Sequence, residues 1–137
     1  CRRHNGTATI LLIDIDHFKN INDTWGHDVG DKAIVALTRQ LQMSVRSGDA
    51  IGRFGGDEFA VIMSQTAAES AIAVMSRVHE RLETLSLPCA PKEPLRISVG
   101  VAPWGPQFRH YREWLKAADV ALYKAKNAGR GRTEVAA

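Results

Sequence analysis

A chain of 137 residues, 45% hydrophobic and 24% charged, with 11 Gly and 5 Pro dispersed along it, has the size and composition of one globular domain; collagen, coiled coil and disorder are excluded. Eighteen basic against 15 acidic residues leave a charge of +3, compatible with an anionic ligand but short of the dense basic face of a nucleic-acid-binding domain. No apolar run is long enough to cross a bilayer, no signal-peptide pattern is present, and Cys1 and Cys89 lack C-x-x-C spacing, so a cytoplasmic location is expected, either free or as the cytoplasmic part of a membrane-anchored protein.

The first segment with a clear pattern is residues 9–15 (TILLIDI), a short run rich in branched apolar residues that suits a strand buried on both faces. From Asp31, Ile34, Leu37, Leu41 and Val45 recur at helical spacing and predict an amphipathic helix of about four turns. Residues 50–54 and 59–63 are strand-like runs around Gly55-Gly56-Asp57-Glu58 and predict a β-hairpin with acids at its turn. Ala68, Ala71, Ile72, Met75, Val78, Leu82 and Leu85 mark a second helix, stopped by Pro88 and followed by a loop to Pro94. Residues 95–102 alternate like a strand, and Trp114, Leu115, Ala118, Leu122 and Ala125 mark a third helix, closed by Gly129 before a short strand at 133–135. Interleaved strands and helices predict an α/β sandwich with a central mixed or antiparallel sheet flanked by helices, forming a single domain over residues 1–137.

Asp14 and Asp16 lie two apart at the end of the first strand, so their side chains project to one face, an arrangement that attracts Mg²⁺. The alternative is that Asp16 caps the helix that follows. In the hairpin, Asp57 and Glu58 face opposite ways along an ideal strand and can both reach Asp14 only if the two glycines let the backbone bend; a solvated turn is the alternative. The histidines have no H-x-x-x-H spacing, and Trp25, Trp104 and Trp114 are not spaced as a nucleic-acid stacking platform, so they are taken as structural.

Together, residues 12–31 (LIDIDHFKNINDTWGHDVGD) and 53–63 (RFGGDEFAVIM) closely resemble the GGDEF family of bacterial diguanylate cyclases, and the resemblance continues through ISVGV at 97–101, ADVALYKAK at 118–126 and Gly129-Arg130. It implies a fold similar to the palm-like nucleotidyl cyclases. It also implies that Asp14 and the Ile15 carbonyl hold Mg²⁺ or Mn²⁺ together with Asp57 and Glu58, and that Asn22 and Asp31 hydrogen-bond guanine. A carboxylate accepts from the N–H donors of guanine, which adenine does not offer. Asp31 as the N-cap of the helix ahead of Ile34 stands beside this role. The backbone N–H groups of His17, Phe18 and Lys19, at a helix start, would bind the triphosphate. Lys126 and Arg130 match further phosphate contacts, against the alternative of solvated residues complementing a helix dipole. Arg46-Ser47-Gly48-Asp49 matches the family's R-x-x-D inhibitory site for the product, to which Arg77 would add a second arginine; a solvated helix end and turn is the alternative.

The implied activity is condensation of two GTP into cyclic di-GMP and two pyrophosphates, with Asp57 as proton acceptor and Glu58 as the alternative. One domain holds one GTP, so turnover implies a homodimer, driven by an upstream domain that this chain lacks. Beginning at Cys1 rather than Met, the chain is expected to be a segment of a longer protein, short of the leucine-bearing wall that the family supplies to the guanine pocket. The rival readings are a non-catalytic receptor for GTP or cyclic di-GMP, and a nucleotidyl transferase acting on nucleic acid, for which the basic and aromatic surface is missing.

Overall fold

The computed structural model describes residues 8–53, 55–84 and 95–136. Its elements follow the order β1 (Ala8–Ile15), α1 (Phe18–Trp25), α2 (His27–Ser44), β2 (Ala50–Arg53), β3 (Glu58–Ser64), α3 (Ala68–Thr84), β4 (Ile97–Pro103), α4 (Tyr111–Asn127) and β5 (Thr133–Val135). The strands form one mixed sheet in the order β2-β3-β1-β4-β5. β1 pairs antiparallel with both β3 and β4, β2 pairs antiparallel with β3, and β5 runs parallel to β4 after the crossover through α4.

β1 is central and buried along its whole length, as its unbroken apolar pattern predicts. Its odd-numbered residues Leu11, Ile13 and Ile15 join the larger core with Leu37 and Leu41 of α2, Met75 and Leu82 of α3, and Phe59 and Val61 of β3. Its even-numbered residues Ile10 and Leu12 join a smaller core with Ala118 and Leu122 of α4. The period of two therefore divides the molecule into helices α2 and α3 on one face and α4 on the other. Continuing that alternation places Asp14 on the α4 face, opposite Glu58 in the β1–β3 register.

The predicted hairpin and all the predicted strands are present, with ends displaced by a residue or two. Two helices start earlier than predicted. α2 begins at His27, because its first turn carries the exposed His27 and Asp28, and Gly30 interrupts the apolar pattern. α4 begins at Tyr111, where three exposed residues precede Trp114. Val45, predicted as the last periodic residue of the helix from Asp31, is instead the extended C-cap of α2, its N–H still donating to Leu41 at 3.1 Å. The predicted end of the first hairpin strand at Phe54, the end of the second predicted helix at Leu85 and the loop from Pro88 to Pro94 fall outside the described residues, as do Cys1 and Cys89. Trp104, Phe108 and Trp114 form an aromatic cluster, and Trp114 Nε1 donates to the Ala102 carbonyl at 2.7 Å, which is the structural use expected of these tryptophans.

Close approach of α4 to β4 depends on Gly100, where a Cβ would overlap the Ala118 carbonyl and the backbone of Leu122. Since those atoms are main chain and cannot rotate away, Gly100→Ala should destabilise the domain by about 1–3 kcal/mol in a urea titration, with little change in m-value.

Candidate active site

Asp14 near the end of β1 and Asp16 just past it lie on the same side of the sheet, as the alternation predicts: Asp14 meets Lys126 of α4, and Asp16 meets Ser98 of β4 and the turn after α4. Asp14 is 7% exposed and ion-paired through Oδ2 with Lys126, in the last turn of α4. Its Oδ1 is buried and has no hydrogen-bond partner. Asp16 is 6% exposed and fully engaged by the protein: Ser98 Oγ donates to Oδ1 at 2.6 Å, and the Gly131 N–H donates to Oδ2 at 2.7 Å. Arg130 Nη1 lies 3.8 Å from Oδ1. Asp16 does not cap α1, whose N-cap is His17 in the left-handed region with φ 57°; its carboxylate is drawn across the sheet end instead.

The hairpin bends as its glycines allow. Residues 55–57 leave the strand geometry, the Asp57 carbonyl accepts from the Ile15 N–H at 3.2 Å, and the Asp57 carboxyl comes within hydrogen-bonding reach of Asp14. Burial, with the Asp14 carboxylate alongside, pushes Asp57 up from 3.8 to about 6. A protonated Asp57 avoids the repulsion that two adjacent carboxylates would otherwise feel. Glu58 is half-buried on the Asp14 face and folds back over Gly55, where any Cβ would meet its carboxylate. Arg53 clamps the turn, donating from Nε to the Gly55 carbonyl at 3.1 Å and from Nη2 to the Gly56 carbonyl at 2.7 Å.

Among the described residues no three Asp, Glu, His or Cys side chains are gathered as a ready-made cation cage. The chemistry of what is present nevertheless fits a hard divalent cation: a buried carboxylate oxygen without a donor, and a second carboxyl held next to it at the cost of a raised pKa. Asp14, Asp57 and the end of β1 at Ile15 adjoin, and Glu58 stands opposite Asp14 in the register, near enough to Asp57 to raise it further.

The remaining expected residues divide into two groups. His17 and Lys19 are exposed and Phe18 half-buried at the start of α1, whose first-turn N–H groups have no intrahelical partners. Asn22 on α1 packs on Gly30 of α2, a position where a Cβ would strike Asn22 Oδ1, and that oxygen is buried and unpartnered. Asp31 follows Gly30 and is exposed inside α2. It is therefore not the helix N-cap, because α2 starts at His27 after Gly26.

Arg46, Asp49 and Arg77 lie far from these groups but share one cavity of about 440 Å³, whose walls include Gln65, Thr66 and Ser70. Arg46 Nη2 donates to the Ser64 carbonyl at 2.9 Å and to Thr66 Oγ1 at 2.6 Å. Asp49 is a staple for the turn, accepting from the Arg46 N–H at 2.9 Å and the Ser64 N–H at 3.0 Å.

Sequence reasoning missed Arg53, Gly30 and Ser98. A glycine inside a helix costs about 1 kcal/mol relative to alanine and so signals a packing requirement, and a serine within the apolar strand run at 97–101 signals an inward partner. Arg53 carries no local signal beyond its place before Gly55.

The profile of the diguanylate cyclase GGDEF domain matches residues 1–132. With the sheet and the two carboxylate-bearing segments in place, the chain belongs to the GGDEF domain family. It is 76% identical over its whole length to a protein described as "Probable diguanylate cyclase DgcC" of Escherichia coli K12, covering 37% of that protein. It is 38% identical over 127 residues to diguanylate cyclase A of Treponema denticola, covering 92% of this chain and 34% of that protein. The chain thus spans about a third of the length of these curated relatives. Among solved structures, the active GGEEF domain of a Vibrio cholerae diguanylate cyclase superposes with a TM-score of 0.93 at 29% identity over 99% of this chain and 86% of that one. The GGDEF domain of DgcB from Caulobacter crescentus, in complex with c-di-GMP, gives 0.89 at 29% identity over 98% and 80%.

Because Asp57 is held at about 6 in the folded domain against 3.8 when free, the stability it contributes is fully present below about pH 3.8 and is lost as pH rises through about 6. In the metal-free domain Asp57→Asn should therefore raise the Tm at pH 7.5 and leave it unchanged at pH 4. Calorimetry at the two pH values checks this, and added MgCl₂ should stabilise the parent more than the variant at pH 7.5.

Proposed function

We propose that this domain is the catalytic unit of a diguanylate cyclase, condensing two GTP into cyclic di-GMP and two pyrophosphates. The observation that carries the reading is the pair Asp14 and Asp57 at the closed end of a doubly buried strand, with Asp14 Oδ1 buried and unpartnered. Asp14, the Ile15 carbonyl, Asp57 and Glu58 would hold Mg²⁺ or Mn²⁺, which when bound supplies Lewis-acid polarisation and charge neutralisation for phosphoryl transfer. The N–H groups at His17, Phe18 and Lys19 receive the triphosphate at the positive end of α1, with Lys126 and Arg130 as flanking cations. Asn22 Oδ1, lacking a donor, and the Asp31 carboxylate accept from guanine N–H groups, which favours GTP over ATP.

Asp57 takes the proton of a ribose 3′-OH as that oxygen attacks the α-phosphorus of the opposing GTP. The bond from that phosphorus to the bridging oxygen breaks, and pyrophosphate leaves. In the metal-free site the Asp57 carboxyl is raised to about 6 and a bound cation would lower it, so its part as proton acceptor rests on its place beside Asp14 rather than on that value. One site of each kind per chain requires two domains to face each other, so a homodimer turns over, assisted by a segment outside this chain. The cavity holding Arg46 and Arg77 takes the product, with Asp49 keeping the Arg46 turn in shape. The whole of residues 1–137 acts as a single domain in the cytoplasm, where GTP is available.

Incubation with GTP and MgCl₂ followed by chromatography should yield cyclic di-GMP and pyrophosphate in a ratio of one to two, with no product from ATP. Asp57→Ala should lower the rate by at least about 10²-fold while GTP still binds. GTP binding by the parent with no product would make the domain a receptor. In dilute solution the initial rate should rise as about the square of the domain concentration, and fusion to a dimeric coiled coil should raise it further; strict proportionality to a monomer would overturn the two-domain mechanism.

A further inference from the structure

Asp16 takes no part in the chemistry proposed above, yet it is buried and both of its oxygens are engaged by the protein. Its two oxygens accept from Ser98 Oγ at 2.6 Å and from the Gly131 N–H at 2.7 Å, and Arg130 Nη1 stands 3.8 Å away. Its own N–H donates to the Arg96 carbonyl at 2.9 Å, fixing the backbone between Asp14 and α1. The turn it grips has three successive residues in the left-handed half of conformational space, Gly129 at φ 118°, Arg130 at 64° and Gly131 at 57°. Glycine tolerates this region and arginine does not favour it; the helix end holds Arg130 there through its own N–H, which donates to the Ala125 carbonyl at 3.0 Å, and Asp16 holds the next residue, Gly131. On the far side the turn is secured by the Val99 N–H donating to the Arg132 carbonyl at 2.9 Å. The Arg130 side chain is 39% exposed, so its guanidinium contacts Asp16 and keeps an edge open to a ligand.

We infer that Asp16 is a positioning residue for the substrate's phosphates: it fixes the turn at 129–131 and orients Arg130 toward the mouth of the site where α1 begins. This rests on the reading of Arg130 as a phosphate contact. The two aspartates of the first strand segment then have separate tasks, Asp14 toward the cation and Asp16 toward the cationic arm. Both oxygens of Asp16 are acceptors in use, which makes Asn a graded substitute: its amide oxygen can still accept from Gly131 and its NH₂ can face Ser98 Oγ, but the charge beside Arg130 is gone.

The test is calorimetric binding of 3′-deoxy-GTP, which lacks the nucleophile, and of 3′-deoxy-GMP, both in MgCl₂. Asp16→Ala should weaken the triphosphate at least about tenfold and the monophosphate less than twofold, with Asp16→Asn between Ala and the parent. Arg130→Ala should show the same selective loss, and adding Asp16→Ala to it should cost nothing further. If Arg130→Ala binds the triphosphate normally, the phosphate role of Arg130 fails and the inference falls with it. If Arg130→Ala weakens the triphosphate but Asp16→Ala and Asp16→Asn do not, or weaken both nucleotides equally, or add their full loss to Arg130→Ala, the inference alone is overturned.

Discussion

A carboxylate buried at the end of an apolar strand has to be compensated, and the site is organised by that demand. β1 is enclosed by a core on each face, so Asp14 and Asp16 arrive where water is scarce. An uncompensated buried charge costs several kcal/mol, enough to threaten a domain of this size. Lys126 answers Asp14, and Ser98, Gly131 and Arg130 answer Asp16. All four partners come from β4, the end of α4 or the turn beyond it, so the C-terminal third of the chain is held against the first strand. Gly100 makes the approach possible by removing the one atom that would keep α4 off β4. The packing of the smaller core and the compensation of the carboxylates are thus a single arrangement.

Three buried oxygens remain without donors among the described residues, and one of them, Gln40 Oε1 on α2, lies outside the proposed site. Asp14 Oδ1 and Asn22 Oδ1 are both buried and lack donors, one beside the hairpin and the other between α1 and α2. They call for different chemistry. Asp14 Oδ1 adjoins a second carboxyl, raised first by burial and then by the Asp14 carboxylate beside it, and a divalent cation would relieve the second of these. Asn22 Oδ1 is packed against Gly30, in the place a Cβ would take, and a neutral donor such as a nucleobase N–H would satisfy it only once the side chain turned away from Gly30.

The order of the strands and of the three long helices was legible because apolar period distinguishes buried strands from amphipathic helices, and TILLIDI could be read as doubly buried without any partner in view; the short α1, with none of its residues buried, was not found by that period. The starts of α2 and α4 were not, since exposed first turns carry no periodic signal; that is why Asp31 could be taken for a cap although α2 already begins at His27. The pairing of Asp14 with Asp57 was legible only as a condition, that two glycines permit a bend. The use made of Asp16 was hidden for a different reason. Its partners Ser98 and Gly131 are 82 and 115 residues away in sequence, and nothing local distinguishes such a carboxylate from a helix cap. Family motifs supplied residue roles that spacing could not, but they did not reveal what holds those residues in place.

Geometry also constrains how the proposed product site can act. Glu58 begins β3 and Ser64 ends it, and the cavity with Arg46 and Arg77 opens beyond Ser64, at Gln65 and Thr66. Six steps along a strand span about 20 Å, so a nucleotide in that cavity does not touch Asp14 or Asp57. Nor is β3 a convenient lever between them, because it is paired on both sides, to β2 and to β1, and its Phe59, Val61 and Met63 are locked in the larger core. A shift large enough to disturb the hairpin carboxylates would have to disrupt that packing. A ligand held by Arg46 and Arg77, both exposed at the surface, can instead bridge to another domain without deforming this one. Since the proposed reaction needs two sites to face each other, fixing two domains in any other orientation is sufficient to stop it.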